Sequence, residues 1–436
     1  MQRFMPYSLN ILVFLFTLLS SFQAVADISQ KEREKTYSQL EVFANVLSIL
    51  QDNYVEEIDT NDIIDGAIKG LLYTLDPHSA YLEPEGFNEL QEETQGQFSG
   101  IGIEITIKDG ILTIISPIEG TPAADADLRA HDIIVEIDGQ KTKEMGAMEA
   151  IKKLRGPKGS EVSISVHRDG WPEPKNFNLV RDIIPLQSVK SFFIAPSLAY
   201  TRVTNFQSRT TSDYKKELRN LQKIGQIKGL ILDLRNNPGG LLSQAVSLSD
   251  TFLNEGLIVS TRGRTEEQNM SFRAHMGEEA ASVPLIVLVN EGSASASEIV
   301  AGALQAHKRA IIVGTQTFGK GSVQTIIPLP SGAGLRVTTA RYYTPDGKSI
   351  QALGITPDVE VPYVAYQEAK TDDTKSGRIR EADLPNHIEG NDEKDQASTL
   401  TQTEEIKQRL REDNQLRTAL NILKSLNLYS EFQTIK

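Results

Sequence analysis

Two short apolar runs constrain this chain most. One is Leu285-Ile286-Val287-Leu288-Val289, and the other is Leu230-Ile231-Leu232-Asp233-Leu234, interrupted by a single aspartate. A strand with one face in water alternates apolar and polar residues; a strand apolar throughout has both faces covered, as in a parallel sheet flanked by helices. Each run leads into a turn and a helical segment, Leu241–Leu253 after Leu230–Leu234 and Ser297–Ala306 after Leu285–Val289. Strands alternating with helices predict a mostly parallel sheet, so residues 183–365 read as an α/β domain.

The segments around this domain have other rhythms. In residues 95–182, Ile101 to Ile107 alternates, the turn Asp109-Gly110 follows, and Ile111 to Ile115 forms a second run. Further strands are expected at Ile133–Ile137 and Val162–Val166, with turns at Asp138-Gly139 and Asp169-Gly170 and a helix over Met145–Leu154. Residues 27–94 read as helical, with Leu40, Phe43, Leu47 and Leu50 on one stripe that packs on its own domain or on a second subunit. Residues 366–400 are polar and charged, the composition of a flexible linker. Residues 401–436 return to a helical pattern in which Leu416, Leu420 and Leu423 share a face. The two stripes together point to a homo-oligomer.

The formal charge of −13 argues against nucleic acid, whose phosphates need a basic surface. The absence of cysteine excludes disulfides, thiolate metal sites and a cysteine nucleophile. The six histidines have no metal-binding spacing, and no metal or cofactor is expected. At the N-terminus Arg3 precedes the apolar stretch Ile11 to Leu19, then Ser20-Ser21 and Ala24-Val25-Ala26. This is the layout of a cleavable export signal over residues 1–26, and it predicts a periplasmic or otherwise exported protein. The alternative, a membrane anchor, is disfavoured because the run is short for a hydrocarbon core of ~30 Å.

Three segments carry chemistry. Gly292-Ser293-Ala294-Ser295-Ala296-Ser297-Glu298 places hydroxyls where a buried strand turns into a helix. Unpaired N–H groups at such a junction can stabilise an oxyanion. The same run also fits a capping box, Ser295 to Glu298, and spacing alone does not choose among its three serines. Phe318-Gly319-Lys320-Gly321-Ser322-Val323-Gln324 sets a lysine between glycines at the start of an extended pattern, with Lys320 and Gln324 expected on one side. At a free-solution pKa of ~10.4 roughly one lysine in two thousand is neutral near pH 7, so a lysine base needs desolvation worth about 4 kcal/mol. Phe318 and the glycines suit that, and Gln324 could hold the amine without adding charge. The third segment, Asp233-Leu234-Arg235-Asn236-Asn237-Pro238-Gly239-Gly240, is a second strand-turn-helix corner, with glycines where backbone comes close to a neighbour. A competing motif is Gly314 to Gly321, a phosphate loop up to its lysine. It has Gly321 where magnesium needs Ser or Thr, and an extended run where a helix should begin.

Taken with Thr74-Leu75-Asp76-Pro77-His78-Ser79 and Leu154-Arg155-Gly156-Pro157-Lys158-Gly159, these segments resemble the carboxyl-terminal processing proteases, PDZ-containing serine endopeptidases with a Ser/Lys dyad. The resemblance runs from about residue 35 to 365. It implies a ClpP/crotonase-like α/β protease core with an inserted PDZ domain and helical N- and C-terminal regions. By the family pattern Ser295 is the nucleophile, Lys320 the general base and Gln324 the residue orienting it. Ala296 and Gly239 or Gly240 would supply the oxyanion hole, and helix capping would pass to another serine. Gly100-Ile101-Gly102-Ile103 stands in the place of the PDZ carboxylate-binding loop, which captures a free C-terminus while the tail adds as a strand. One departure lies where the family has A-G-L-x-x-G-D: Ala126-Asp127-Leu128-Arg129-Ala130-His131-Asp132 lacks both glycines. The implied partners are protein substrates held by their C-terminal tails, with an activating adaptor protein among the candidates. The readings that compete are a PDZ scaffold with an idle dyad and a nucleotide binder.

Overall fold

The computed structural model describes residues 30, 32–108, 110–276, 283–365 and 404–434, so the expected signal segment and linker lie outside the described residues. The chain divides into two units, residues 1–76 and 77–436. In the first, a helix over residues 32–53 precedes the helix Thr60–Tyr73, whose start is capped by Asp59 accepting the Asn61 N–H at 2.7 Å. The apolar stripe on the first helix is not covered: Leu40, Phe43 and Leu50 are 55%, 44% and 40% exposed.

The second unit opens with a departure from the all-helical expectation for residues 27–94. Ala80–Leu82 is a strand, paired antiparallel with Gly334–Tyr343, and only then does the helix Pro84–Gln95 follow. Next comes a two-stranded ribbon, Gln97–Gly100 against Asp182–Pro185, which carries a small β-domain between its strands. The alternating run expected from Ile101 therefore breaks at Gly102, where φ is 81° and the chain turns from the ribbon into the strand Ile103–Lys108. That strand is the edge of an antiparallel sheet with Ile111–Pro117, Ile133–Ile137, Glu161–His167 and Lys175–Val180. The expected helix over Met145–Leu154 begins two residues later, as Ala147–Leu154, and a 3₁₀ turn, Thr142–Glu144, precedes it. Its core is Ile114, Ile134, Ile137, Ile164 and Val166, all fully buried.

The two missing glycines of this domain have a physical replacement. Asp127 and His131 themselves adopt left-handed backbone, with φ of 58° and 70°. Asp is among the side chains that tolerate this region best. Arg129 donates to Asp127 at 2.7 Å, and the fully buried Asp132 accepts Arg168 Nε at 2.6 Å and the Arg129 N–H at 2.8 Å. Arg129 and Arg168 hold the Asp127 carboxyl below its ordinary range. Side-chain bonds thus fix a turn that glycines would have left loose.

The large domain has the parallel sheet that the apolar runs predict. Its strand order is Val189–Ala195, Leu198–Val203, Gly229–Asp233, Leu285–Val289, Ile311–Gly314 and Val359–Glu360; only the first pair is antiparallel. Alternate residues feed opposite cores. Leu230, Leu232, Leu285, Val287 and Val289 face the helices Thr210–Ile224, Leu242–Asp250 and Ala296–Ala306, while Ile231, Ile286 and Leu288 face the other way. That second face is covered by the helix Asn414–Thr434. Leu416, Leu420 and Leu423 are at most 3% exposed against it, each burial worth about 2 kcal/mol. A second, antiparallel sheet brings Ser322–Pro328 and Leu257–Gly263 against Gly334–Tyr343.

Candidate active site

The two strand-turn-helix corners of the parallel sheet lie side by side because their strands pair in register from Leu230 with Leu285 to Asp233 with Leu288. Asparagines and serines fasten them. Asn290 Nδ2 donates to Asn236 Oδ1 at 2.8 Å while Asn236 N–H donates to Asn290 Oδ1 at 2.8 Å. Ser293 Oγ donates to the Leu234 carbonyl at 2.7 Å, Ser297 Oγ to that of Asn237 at 3.0 Å, and Ala294 N–H to the same carbonyl at 2.9 Å. Ser293 and Ser297 are fully buried in these roles. Of the three serines only Ser295 lines the adjoining cavity of 570 Å³.

Ser295 sits on strained backbone, with φ 53° and ψ −110°, at the N-cap of Ala296–Ala306. This corrects the expectation that another serine would cap the helix: Ser295 itself forms the capping box with Glu298. The fully buried Glu298 does more than cap. One carboxylate oxygen accepts the Ser295 N–H at 2.8 Å and the Lys320 N–H at 2.9 Å; the other accepts Thr317 Oγ1 at 2.6 Å and the Gly319 N–H at 2.7 Å. One buried carboxylate therefore ties the serine corner to the lysine loop. A charge with four donors is held in place, and losing any partner would leave part of it unpaired.

Lys320 and Gln324 line the same cavity as Ser295, as do Gly239 and Gly240. Plain strand alternation is not the cause for the first pair. The strand begins at Ser322, after Lys320, and a bulge between Val323 and Gln324 shifts the register. Gln324 Nε2 donates to Ser322 Oγ at 2.8 Å, which leaves its Oε1 as the remaining acceptor. Phe318 does not desolvate the lysine as expected, since it is 62% exposed; Val323 and Tyr342 line the cavity instead. Tyr342 is 4% exposed, its hydroxyl is hydrogen-bonded to Ser295, and burial pushes its pKa up to about 12. The phenol therefore keeps its proton through the neutral range.

Gly239 packs directly on the serine: a Cβ there would lie 2.8 Å from Ser295 Cβ, and its φ is 108°. Its N–H donates to Asn237 Oδ1 at 2.9 Å. Gly240 bridges to Phe206, whose N–H and carbonyl bond to Gly239 and Leu241, so the Gly240 N–H points away from Phe206. Ala296 N–H, the first in its helix, has no intrahelical partner by position. The phosphate-loop reading fails here. Ile311–Gly314 is followed by coil and the strand Ser322–Pro328, with no helix N-terminus to receive phosphate.

Gly100, Ile101, Gly102 and Ile103 line a second, smaller cavity of 190 Å³ with Leu154 and Arg155. Sequence reasoning missed Glu298 as a strut and Tyr342 as a neighbour of the serine. The capping-box spacing was the one local signal for Glu298; nothing near Tyr342 in the chain signalled its contact.

Comparison with known proteins agrees with this layout. Residues 197–361 match peptidase family S41, residues 89–167 the PDZ domain, and residues 15–86 the family described as the activating protease CtpB N-terminal domain. A carboxy-terminal-processing protease of Bartonella bacilliformis is 43% identical over 387 residues, 88% of each chain. A carboxyl-terminal-processing protease of Synechocystis is 41% identical over 73% of this chain and 77% of its own. The carboxy-terminal processing protease CtpB of Bacillus subtilis is 32% identical over 78% and 71%. With two corners of a parallel sheet building the cavity and a PDZ domain carried on a ribbon beside it, this chain belongs to the carboxyl-terminal processing proteases of peptidase family S41, serine-type enzymes that act on proteins.

Proposed function

We propose that this protein is an exported endopeptidase that cuts protein substrates at or near their C-termini with a Ser295/Lys320 dyad, gated by its PDZ domain. The observation that carries the reading is the single cavity lined by Ser295, Lys320, Gln324 and the Gly239-Gly240 turn. Neutral Lys320 takes the Ser295 proton as Oγ attacks the scissile carbonyl. The oxyanion meets the Ala296 N–H and, since the Gly239 N–H is held by Asn237, the Gly240 N–H of the glycine turn. The lysine then gives the proton to the leaving amine, and water resolves the acyl-enzyme with the lysine again as base. Gln324 Oε1 orients the amine, and Tyr342 directs the Ser295 hydroxyl. No cofactor enters these steps.

The substrate tail adds as a strand in the groove beside Ile103–Lys108, its carboxylate at the Gly100–Ile103 loop, and this occupancy opens the catalytic cavity. The N-terminal pattern supports export with cleavage near Ala26. The uncovered stripe on helix 32–53 supports a homo-oligomer, and the match of residues 15–86 supports control by an activating adaptor. Residues 27–436 and the Ser295→Ala variant are incubated with an unstructured protein ending in apolar residues, and products are read by mass spectrometry. Cleavage by the first alone is expected. Equal cleavage by both removes Ser295 from the mechanism.

A further inference from the structure

The C-terminal helix Asn414–Thr434 lies well past residues 197–361, the part that matches family S41. It reaches the catalytic corner through one guanidinium. Arg235 Nε donates to Asp233 Oδ1 at 3.0 Å and Nη2 to Asp233 Oδ2 at 2.7 Å. On its far side Nη1 donates to Asp413 Oδ1 at 2.9 Å and to Gln415 Oε1 at 3.0 Å, and Nη2 to Asp413 Oδ2 at 2.7 Å. All five N–H donors of the arginine are used, and its side chain is only 9% exposed. Asp413 also accepts the Leu416 N–H at 2.9 Å, so the residue that starts the helix is the one that grips the arginine.

What the arginine supports is the corner itself. Arg235 immediately precedes Asn236 and Asn237, which hold Asn290, Ala294, Ser297 and the Gly239 N–H. Without Asp413, two guanidinium donors would lose their partner in a nearly closed site, and the arginine would have to move toward water to regain one. Such a movement pulls on the turn that faces Ser295. We infer that Asp413 is a positioning residue: through Arg235 it fixes the Asn236–Gly240 turn against the Ser295 corner, making the C-terminal helix a support of the oxyanion site. The inference rests on the protease reading proposed above.

The test uses the full chain carrying Asp413→Ala or Asp413→Asn; the second retains an acceptor for the Leu416 N–H and so guards against simple unfolding. Cleavage kinetics, affinity for a peptide aldehyde whose adduct oxygen occupies the oxyanion site, and amide exchange are measured on each. In Asp413→Ala, kcat is expected to fall about tenfold with KM within about twofold, and aldehyde affinity to fall in step. Exchange should accelerate across residues 234–240 but not across Leu285–Val289. The asparagine variant should lie between. Wild-type kinetics and exchange at 234–240 in both variants overturn the inference, as does an acceleration spread evenly over the chain. If the unaltered protein neither cleaves nor binds the aldehyde, the protease reading fails, while exchange at 234–240 still decides whether Asp413 holds the turn.

Discussion

Two hollows of this protein, the groove of the PDZ domain and the cavity beside Ser295, are built on opposite principles. The small groove of the PDZ domain is bounded by a glycine-bearing loop and by apolar side chains, Ile101, Ile103 and Leu154 among them, with Arg155 at its margin. The cavity lined by Ser295 and Lys320 rests on buried charge and strained backbone. Glu298 and Asp233 are both fully buried, and Ser295 stands at φ 53°. Burial alone would raise the Asp233 pKa, but the hydrogen bonds and charge of Arg235, with Arg202, hold that carboxyl below its usual range. Holding a tail needs backbone N–H groups and a dry surface. Breaking a peptide bond needs donors and a base fixed before the substrate arrives, which only an over-determined polar network provides.

Substitutions can divide the two. Lys320→Met, which keeps an apolar stem without the amine, should lower kcat by about 10⁴-fold. Affinity for a fluorescent C-terminal peptide, measured by anisotropy, should stay unchanged; a parallel loss of peptide affinity would merge the two sites. Gly102→Val should do the reverse. A Cβ at that position would lie 2.3 Å from Thr121 Oγ1, on a backbone at φ 81°. Tail affinity should weaken about tenfold or more and KM rise, with kcat at saturation little altered. A matching fall in kcat would show that the loop shapes the chemistry as well.

The smallest expected effect is that of Tyr342→Phe, which keeps the ring and removes the hydroxyl at Ser295. A fall in kcat of roughly threefold to tenfold at unchanged tail affinity is the expected result. The variant also carries a pH signature. Because the folded protein holds the Tyr342 proton up to about pH 12, against an ordinary value of ~10, the phenol contributes stability fully present below ~10. That contribution is lost as pH rises through about 12. Melting curves of the wild type should therefore drop more steeply than those of Tyr342→Phe across this window. Identical slopes would place the hydroxyl in contact with water.

Much of this was legible in the chain because local chemistry and tertiary need coincide. Leu230–Leu234 and Leu285–Val289 could be read as doubly covered strands because no solvated face would tolerate them. The three motifs of the cavity were visible because glycines and hydroxyls at a strand end have few other uses. What could not be read was who fills each contact. The stripes on helix 32–53 and on Asn414–Thr434 have the same periodicity, yet one is uncovered and the other is buried. Periodicity reports a face and is silent on its partner. The bulge at Val323/Gln324 and the Tyr342 contact come from strand pairing, which leaves no mark in a single segment. Asp127 and His131 looked like a loss of conformational freedom and proved to keep the left-handed backbone themselves.

The covering of the parallel sheet also sets an order of events. Its last strand is complete at Glu360, whereas the helix that seals Ile231, Ile286 and Leu288 begins only at Asn414. During synthesis the serine, the lysine and both glycine corners have all emerged while one face of the sheet is bare and Arg235 lacks its second carboxylate. A nascent chain thus holds Ser295, Lys320 and both glycine corners before it holds the helix that supports them, and those corners are finished after the sheet that carries them.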